Sequence, residues 1–161
     1  MIAQLPADRM PPPRPIGISH FERLFRVAGG LDIDKSDIKR HEDFVNRKIY
    51  DLLICADETA RLNGRDVIEL RDLPLTQGLR GCIGDFKQID ETVELRPILD
   101  YIAKWPPLSL GYSDETKAEF PNIAGGISVA VARTFKLVDP ELKNPQTKHW
   151  ERAHSIFSLL L

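Results

Sequence analysis

Apolar residues at Phe21, Leu24, Phe25 and Ala28 recur at i, i+3, i+4 and i+7, the spacing of one helix face. The pattern predicts a short helix from Ser19 or His20 to Ala28, ended by Gly29-Gly30, with Leu31-Asp32-Ile33 as a brief extended piece. A longer periodic stretch follows. Asp34 or Ser36 caps it, Asp37 lies in its first turn, and Ile38, Val45, Ile49, Leu52, Leu53, Ala56 and Ala60 share one stripe. Read to Asn63, this helix is about 28 residues and about 42 Å long. Phe44, Tyr50, Ile54 and Cys55 point away from the stripe. The middle is therefore expected to be buried all round, where a second long helix crosses it. Gly64 is the expected stop, Val67-Ile68 reads as a small strand, and a third helix is expected over 71–89 with Pro74 in its first turn.

The pattern then repeats loosely. Leu95, Ile98, Leu99 and Ile102 predict a short helix over 95–103, with Pro97 in its first turn. Trp105-Pro106-Pro107 ends it, and Leu108-Ser109-Leu110 reads as extended. Ser113 caps a second long segment to Val138, in which Pro121 and Gly125-Gly126 predict a bend or a close helix crossing. After a Pro-containing loop, Thr147 is the expected cap of a last helix over 149–160. The order is short helix, long helix, short helix, twice. A unit of that form cannot bury its own long helix, but two interlocked units can.

Residues 1–18 contain Pro6, Pro11, Pro12, Pro13 and Pro15, which rule out a helix or a central strand and predict an extended, disordered arm. The organisation is thus an arm, 1–18, and one globular domain, 19–161, with a first unit at 19–89 and a second at 90–161. Composition suits helices packed on helices: 42% hydrophobic residues but only 7% aromatic. The net charge of −2 is spread evenly, with 12 Lys and Arg against 14 Asp and Glu in 21–90 and 8 against 9 in 91–161. A protein that wraps nucleic acid normally carries a basic surplus, and neither half has one. Cys55 and Cys82 lack ligand spacing and read as reduced, buried thiols. Without a signal-type leader or a run of about 18 apolar residues, the expectation is a cytoplasmic protein with no membrane partner.

The chain offers little chemistry. His20, His41, His149 and His154 show no metal-ligand spacing, and Gly81-Cys82-Ile83-Gly84 falls inside a helix rather than between strand and helix. No nucleophile–base arrangement stands out, so no enzyme activity, cofactor or metal is expected. Arg23, Arg26, Lys35, Lys39, Arg40, Arg47 and Lys48 form the only basic density, interleaved with Glu22, Asp37, Glu42, Asp43 and Asp51. That mixture reads first as a solvated helix face with i,i+4 pairs and second as a weak phosphate-binding edge.

Arg65 and Asp72 flank the small strand, seven positions apart, so that the arginine can reach across the turn and lock two helices. With Phe21–Gly30, Asn63–Ile68 and Leu142–Thr147, this pair makes residues 20–89 resemble an archaeal-type histone fold. Over 19–161 the chain resembles a bacterial family of unknown function with two such folds in one polypeptide. The resemblance implies an all-α fold, two histone folds forming an intramolecular pseudodimer with short loop strands. It implies that Arg65 and Asp72 form a structural clamp and that Arg23, Arg26 and Arg65 are candidate DNA contacts. The family pattern usually continues with Lys and Thr after the clamp arginine, where this chain has Asp66 and Val67. The second unit has no Arg–Asp pair at the same spacing. The expected function is accordingly a non-enzymatic histone-fold scaffold or protein-interaction module, monomeric, whose partner is another protein or a second copy. Weak, sequence-independent duplex DNA binding of a nucleoid protein is the alternative.

Overall fold

A computed structural model describes residues 18–89 and 92–161. The arm expected over 1–18 lies outside them, apart from Ile18, which opens the first helix. Six α-helices follow: α1 (Ile18–Gly29), α2 (Lys35–Leu62), α3 (Gln77–Gln88), α4 (Leu95–Ile102), α5 (Asp114–Val138) and α6 (Thr147–Leu160). Two short strands, β1 (Val67–Ile68) and β2 (Gly111–Tyr112), precede α3 and α5. The chain is all-α, with extensive helix–helix packing.

The boundaries follow from local chemistry. The Asp34 carboxylate accepts the Ser36 and Asp37 N–H groups at 2.9 and 3.2 Å, and Asp37 reaches back to the Asp34 N–H, closing a capping box at the start of α2. Gly64, at φ +70°, reverses the chain after α2 and lets the Arg65 N–H bond to the Ala60 carbonyl. Ser113 caps α5 by accepting the Thr116 N–H. Two starts differ from expectation. The segment 71–89 is not one helix: a single 3-10 turn (Leu70–Asp72) is followed by extended backbone, and α3 starts behind Thr76, whose hydroxyl accepts the Leu79 N–H. Leu73, before Pro74, is extended at ψ 127°, the conformation that a following proline favours. At α6 the cap is Gln146, closed by His149 Nδ1 on the Gln146 N–H, so Thr147 is the first helical residue.

The two halves of the chain share one core. The short helices α1 and α3 lie on α5, the long helix of the other half, while α4 packs on both α2 and α5. Trp150 of α6 is fully buried against Phe25 of α1, His41 of α2 and Phe135 of α5. The close approaches use small residues. Gly29 abuts Ala132, and Gly125 and Gly126 receive Phe86 and Ile83 of α3.

All seven stripe residues of α2 are buried, from Ile38 to Ala60. Its centre is not sheathed all round, however, because Ile54 and Cys55 are exposed. The helix is covered on one broad side by α4, α5 and the loops, and the opposite side stays open. The expectation of buried thiols fails as well: Cys55 lies on that open side and is exposed, and Cys82 of α3 is half-buried, both free. Among the described residues no helix is long and apolar enough to cross a membrane.

Candidate functional site: the two loop pairs

Each half contributes one loop to either end of the molecule, and these loop pairs gather most of the polar contacts between halves. At the first end β1 and β2 pair in parallel, Val67 opposite Gly111 and Ile68 opposite Tyr112. The Ile68 carbonyl also accepts the Ser113 N–H at 3.0 Å and the Thr116 hydroxyl at 3.3 Å. At the second end the loop between α1 and α2 meets the loop between α5 and α6: the Asp32 N–H bonds to the Lys143 carbonyl at 2.7 Å.

Arg65 and Asp72 form a bidentate pair at the first end, Nη1 to Oδ2 at 2.6 Å and Nη2 to Oδ1 at 2.5 Å. Asp72 also accepts the Glu69 N–H at 2.8 Å, and its side chain is only 1% exposed. The arginine bonds, with help from that N–H, hold the Asp72 carboxyl below the usual carboxylate range. Glu69 in turn faces Arg65 at 3.5 Å and Arg71 at 2.7 Å. Asp66 and Val67 stand exposed beside the clamp.

Asp57 is not singled out by the sequence pattern, yet it ties the two halves together. It sits buried on α2 and accepts the Ser109 hydroxyl at 2.7 and 2.9 Å, the Leu110 N–H at 2.9 Å and Arg61 Nε at 2.8 Å. Burial pushes its carboxyl up, but these donors outweigh it and hold the pKa below the ordinary value. Its position is a carboxylate on the apolar side of α2, next to Ala56. That is the available sign, although its partners lie more than 50 residues away.

The three candidate contact arginines do not converge. Arg65 belongs to the first loop pair. Arg26 lies at the second, exposed, with Nε 3.8 Å from Asp32. Arg23 is exposed one turn earlier on α1. Among the described residues no group of His, Cys, Asp and Glu could hold a metal ion.

A second polar cluster lies inside the domain. His41 is fully buried among Phe21, Phe25 and Trp150, with Nε2 2.8 Å from the Ser128 hydroxyl of α5. Burial, aided by nearby His154, lowers its pKa to about 3. His154 of α6 stacks on Phe44 at 4.0 Å, and burial together with Arg40 and Lys48 lowers its pKa to about 4. The unfolded chain takes up these protons near pH 6.5 while the folded chain refuses them, so stability is full above that pH and is lost as pH falls below it. His41 alone is expected to remove about 2 kcal/mol by pH 5. Urea melts from pH 7 to 5 measure this. His41→Gln is expected to flatten the slope, and an unchanged slope in that variant would count against the assignment.

The fold and its loop pairs define an all-α protein with two short–long–short helical halves around one core. The chain belongs to the family described as "Domain of unknown function (DUF1931)", whose model matches residues 21–158. It is similar to two uncharacterized proteins of Aquifex aeolicus (strain VF5). One is 32% identical over 130 residues, covering 81% of this chain and 76% of the relative. The other is 31% identical over 147 residues, covering 80% and 83%. Two crystal structures share the fold. One, of a Thermus thermophilus protein, has a TM-score of 0.87 at 48% identity and covers 91% of this chain and 99% of that one. The other, of an Aquifex aeolicus protein, has a TM-score of 0.77 at 29% identity and covers 92% and 97%.

Proposed function

We propose that the two halves are histone folds joined as an intramolecular pseudodimer, and that the protein is a non-enzymatic scaffold that binds another protein or a second copy. The repeated helix order supports the histone reading. So does the layout of the loops, in which the loop after one long helix pairs with the loop before the other at both ends of the molecule.

One observation favours a scaffold over a DNA binder: four arginines at the loop pairs are already matched by carboxylates. Arg65 is bound to Asp72, Arg71 to Glu69, Arg61 to Asp57, and Arg26 faces Asp32. A phosphate arriving at the first loop pair would meet exposed Asp66, and displacing a carboxylate from its arginine would cost much of what the phosphate gains. Weak, sequence-independent DNA binding is the second reading. It rests on the exposed Arg23 and Arg26 of α1 and on exposed Lys143 and Lys148 near the second loop pair.

Titration of a fluorescent duplex at about 50 and about 200 mM salt separates the two, because a binder using about six phosphate contacts loses roughly a thousandfold in affinity over that interval. The expected result is no binding at the lower salt. Measurable, steeply salt-dependent binding that disappears in the Arg23→Glu, Arg26→Glu double variant would overturn the scaffold reading. Sedimentation is expected to show a monomer, since one chain already closes the core.

A further inference from the structure

Aromatic contacts hold α6 to the domain. Only Trp150 and Ala153 of this helix are buried, Trp150 against Phe25, His41 and Phe135. One turn on, His154 stacks on Phe44 of α2, and Phe157 meets the same ring edge-on at 6.0 Å. The polar atoms of this seam are poorly served: His41 Nδ1, Trp150 Nε1 and His154 Nε2 are sealed from solvent and make no hydrogen bond among the described residues. Beyond His154 the end of the helix faces α2 across an open groove of about 880 Å³. The loop before α6 is fastened by hydrogen bonds instead: Lys136 Nζ donates to the Leu142 carbonyl, and the Asp32 N–H to the Lys143 carbonyl. A fixed loop followed by a helix resting on rings places a hinge at Gln146.

We propose that α6 is a pH-sensitive latch: as pH falls it lifts from α1, α2 and α5 as a unit while the rest of the domain stays folded. The reason lies in where a proton has to go. Ser128 donates its hydroxyl proton to the Ala124 carbonyl at 2.8 Å, so its oxygen, 2.8 Å from His41, accepts the Nε2–H. Nδ1 is left as the site for an added proton, and an N–H there finds no acceptor in the closed seam. An imidazolium walled by Phe21, Phe25 and Trp150 is a buried charge without a partner. His154 meets the same penalty between Phe44 and Trp150. One movement relieves both, because Trp150 packs on His41 and His154 rides on the same helix.

The charged groups around the pair offer no escape. From α2, Arg40 and Lys48 act against a charge on His154, and Lys48 is itself held by Asp51 and the Phe44 face. Asp37 of α2 lies by the Trp150 indole, and burial raises its own carboxyl towards protonation. Asp43 is exposed on the rim of the groove, and Glu42 follows His41 along α2. From α1 the seam receives Phe21 and Phe25, and from α5 Ser128 and Phe135. On α6 itself Glu151 and Arg152 are exposed. In this setting both histidines stay neutral in the closed form well above pH 4. A lifted helix lets both titrate near their ordinary values, so below about pH 6 each unit fall in pH favours lifting by up to about a hundredfold, two protons' worth. Lifting bares Phe25 and Phe135, which the closed chain hides. The latch is independent of the histone reading.

Amide hydrogen exchange of the full chain from pH 7 to 5, read by NMR and divided by the unfolded-chain rate at each pH, tests the latch. Amides from Glu151 to Ser158 are expected to share one protection factor. It is expected to fall by more than about a hundredfold over that interval, and at pH 5 to lie at least about tenfold below that of α5. His154→Phe keeps a ring on Phe44 but cannot take a proton, and it is expected to reduce the fall to about twentyfold. His41→Gln is expected to act likewise, and a melting curve checks that each variant is folded. Protection in α6 equal to that in α5 at every pH would overturn the proposal, because the helix would then open only with the whole domain. Protection graded along α6 and independent of pH, the mark of fraying, would overturn it too. So would an undiminished fall in both variants.

Discussion

Asp72→Ala is expected to destabilise the domain by about 2–3 kcal/mol. The substitution removes the acceptor of three hydrogen bonds at once: two from Arg65 and one from the Glu69 N–H. The Glu69 N–H is left without its partner. The guanidinium, 21% exposed, is left beside Glu69 at 3.5 Å as its remaining carboxylate. That residual exposure and second carboxylate keep the cost at the low end for a broken charged pair. The effect reaches beyond one turn because Gly64, Arg65 and Asp72 fix how the chain leaves α2, and β1 lies between them against β2. Losing the pair loosens the junction where the second half is tied on. For a domain of this size the loss corresponds to a drop of roughly 6–10 °C in Tm. Asp72→Asn, which can still accept the Glu69 N–H, is expected to fall between the two. A Tm within about 1 °C of the parent in Asp72→Ala would show that the pair does not hold the helices.

The residues that can be read from the sequence and those that cannot differ in one physical respect. Gly64, the Asp34 cap and the Ser113 cap act on backbone groups within a few positions, so local spacing reveals them. The stripe from Ile38 to Ala60 is legible because helical periodicity reports burial directly. Arg65 and Asp72 are seven residues apart and span a turn, which is still local. The contacts that join the halves are different. Asp57 meets Ser109 across 52 positions, and His41 meets Ser128 across 87. Neither partner carries a mark of the other: a serine in a loop and a serine inside a helix are ordinary until the topology brings them together. The α3 boundary departs from expectation for a local reason that the sequence does contain. Pro74 biases the residue before it towards extended backbone, and at Leu73 that bias prevails, whereas Pro97 and Pro121 each follow a helical residue. Ile54 and Cys55 are expected in a buried centre because they are apolar. Apolar residues on an open helix face are common, so their type alone does not decide burial.

Gly125→Ala is expected to cost about 2–3 kcal/mol, whereas the same substitution at Gly84 is expected to gain about 0.5–1 kcal/mol. Both glycines lie inside helices, where alanine is ordinarily the better residue because it restricts the unfolded chain and exposes less backbone. At Gly84, exposed on α3, a Cβ meets nothing within 4 Å, so only that gain operates. At Gly125 a Cβ would come within 2.3–2.4 Å of three carbons of the Phe86 ring. The ring is itself 3% exposed and has nowhere to go without moving α3 off α5. Gly126 is tighter still against backbone, since a Cβ there would lie 3.0 Å from the Ile83 Cα and N. The two glycines are therefore what allows α3, from the first half, to lie directly on the long helix of the second. A double-mutant cycle tests this contact specifically. Phe86→Leu should cost less in the Gly125→Ala background than in the parent, because the smaller side chain vacates space that the new methyl needs. Strict additivity of the two changes would mean that the ring and the glycine are not packed as described. If Gly125→Ala were as stabilising as Gly84→Ala, the close crossing of α3 and α5 would itself be wrong.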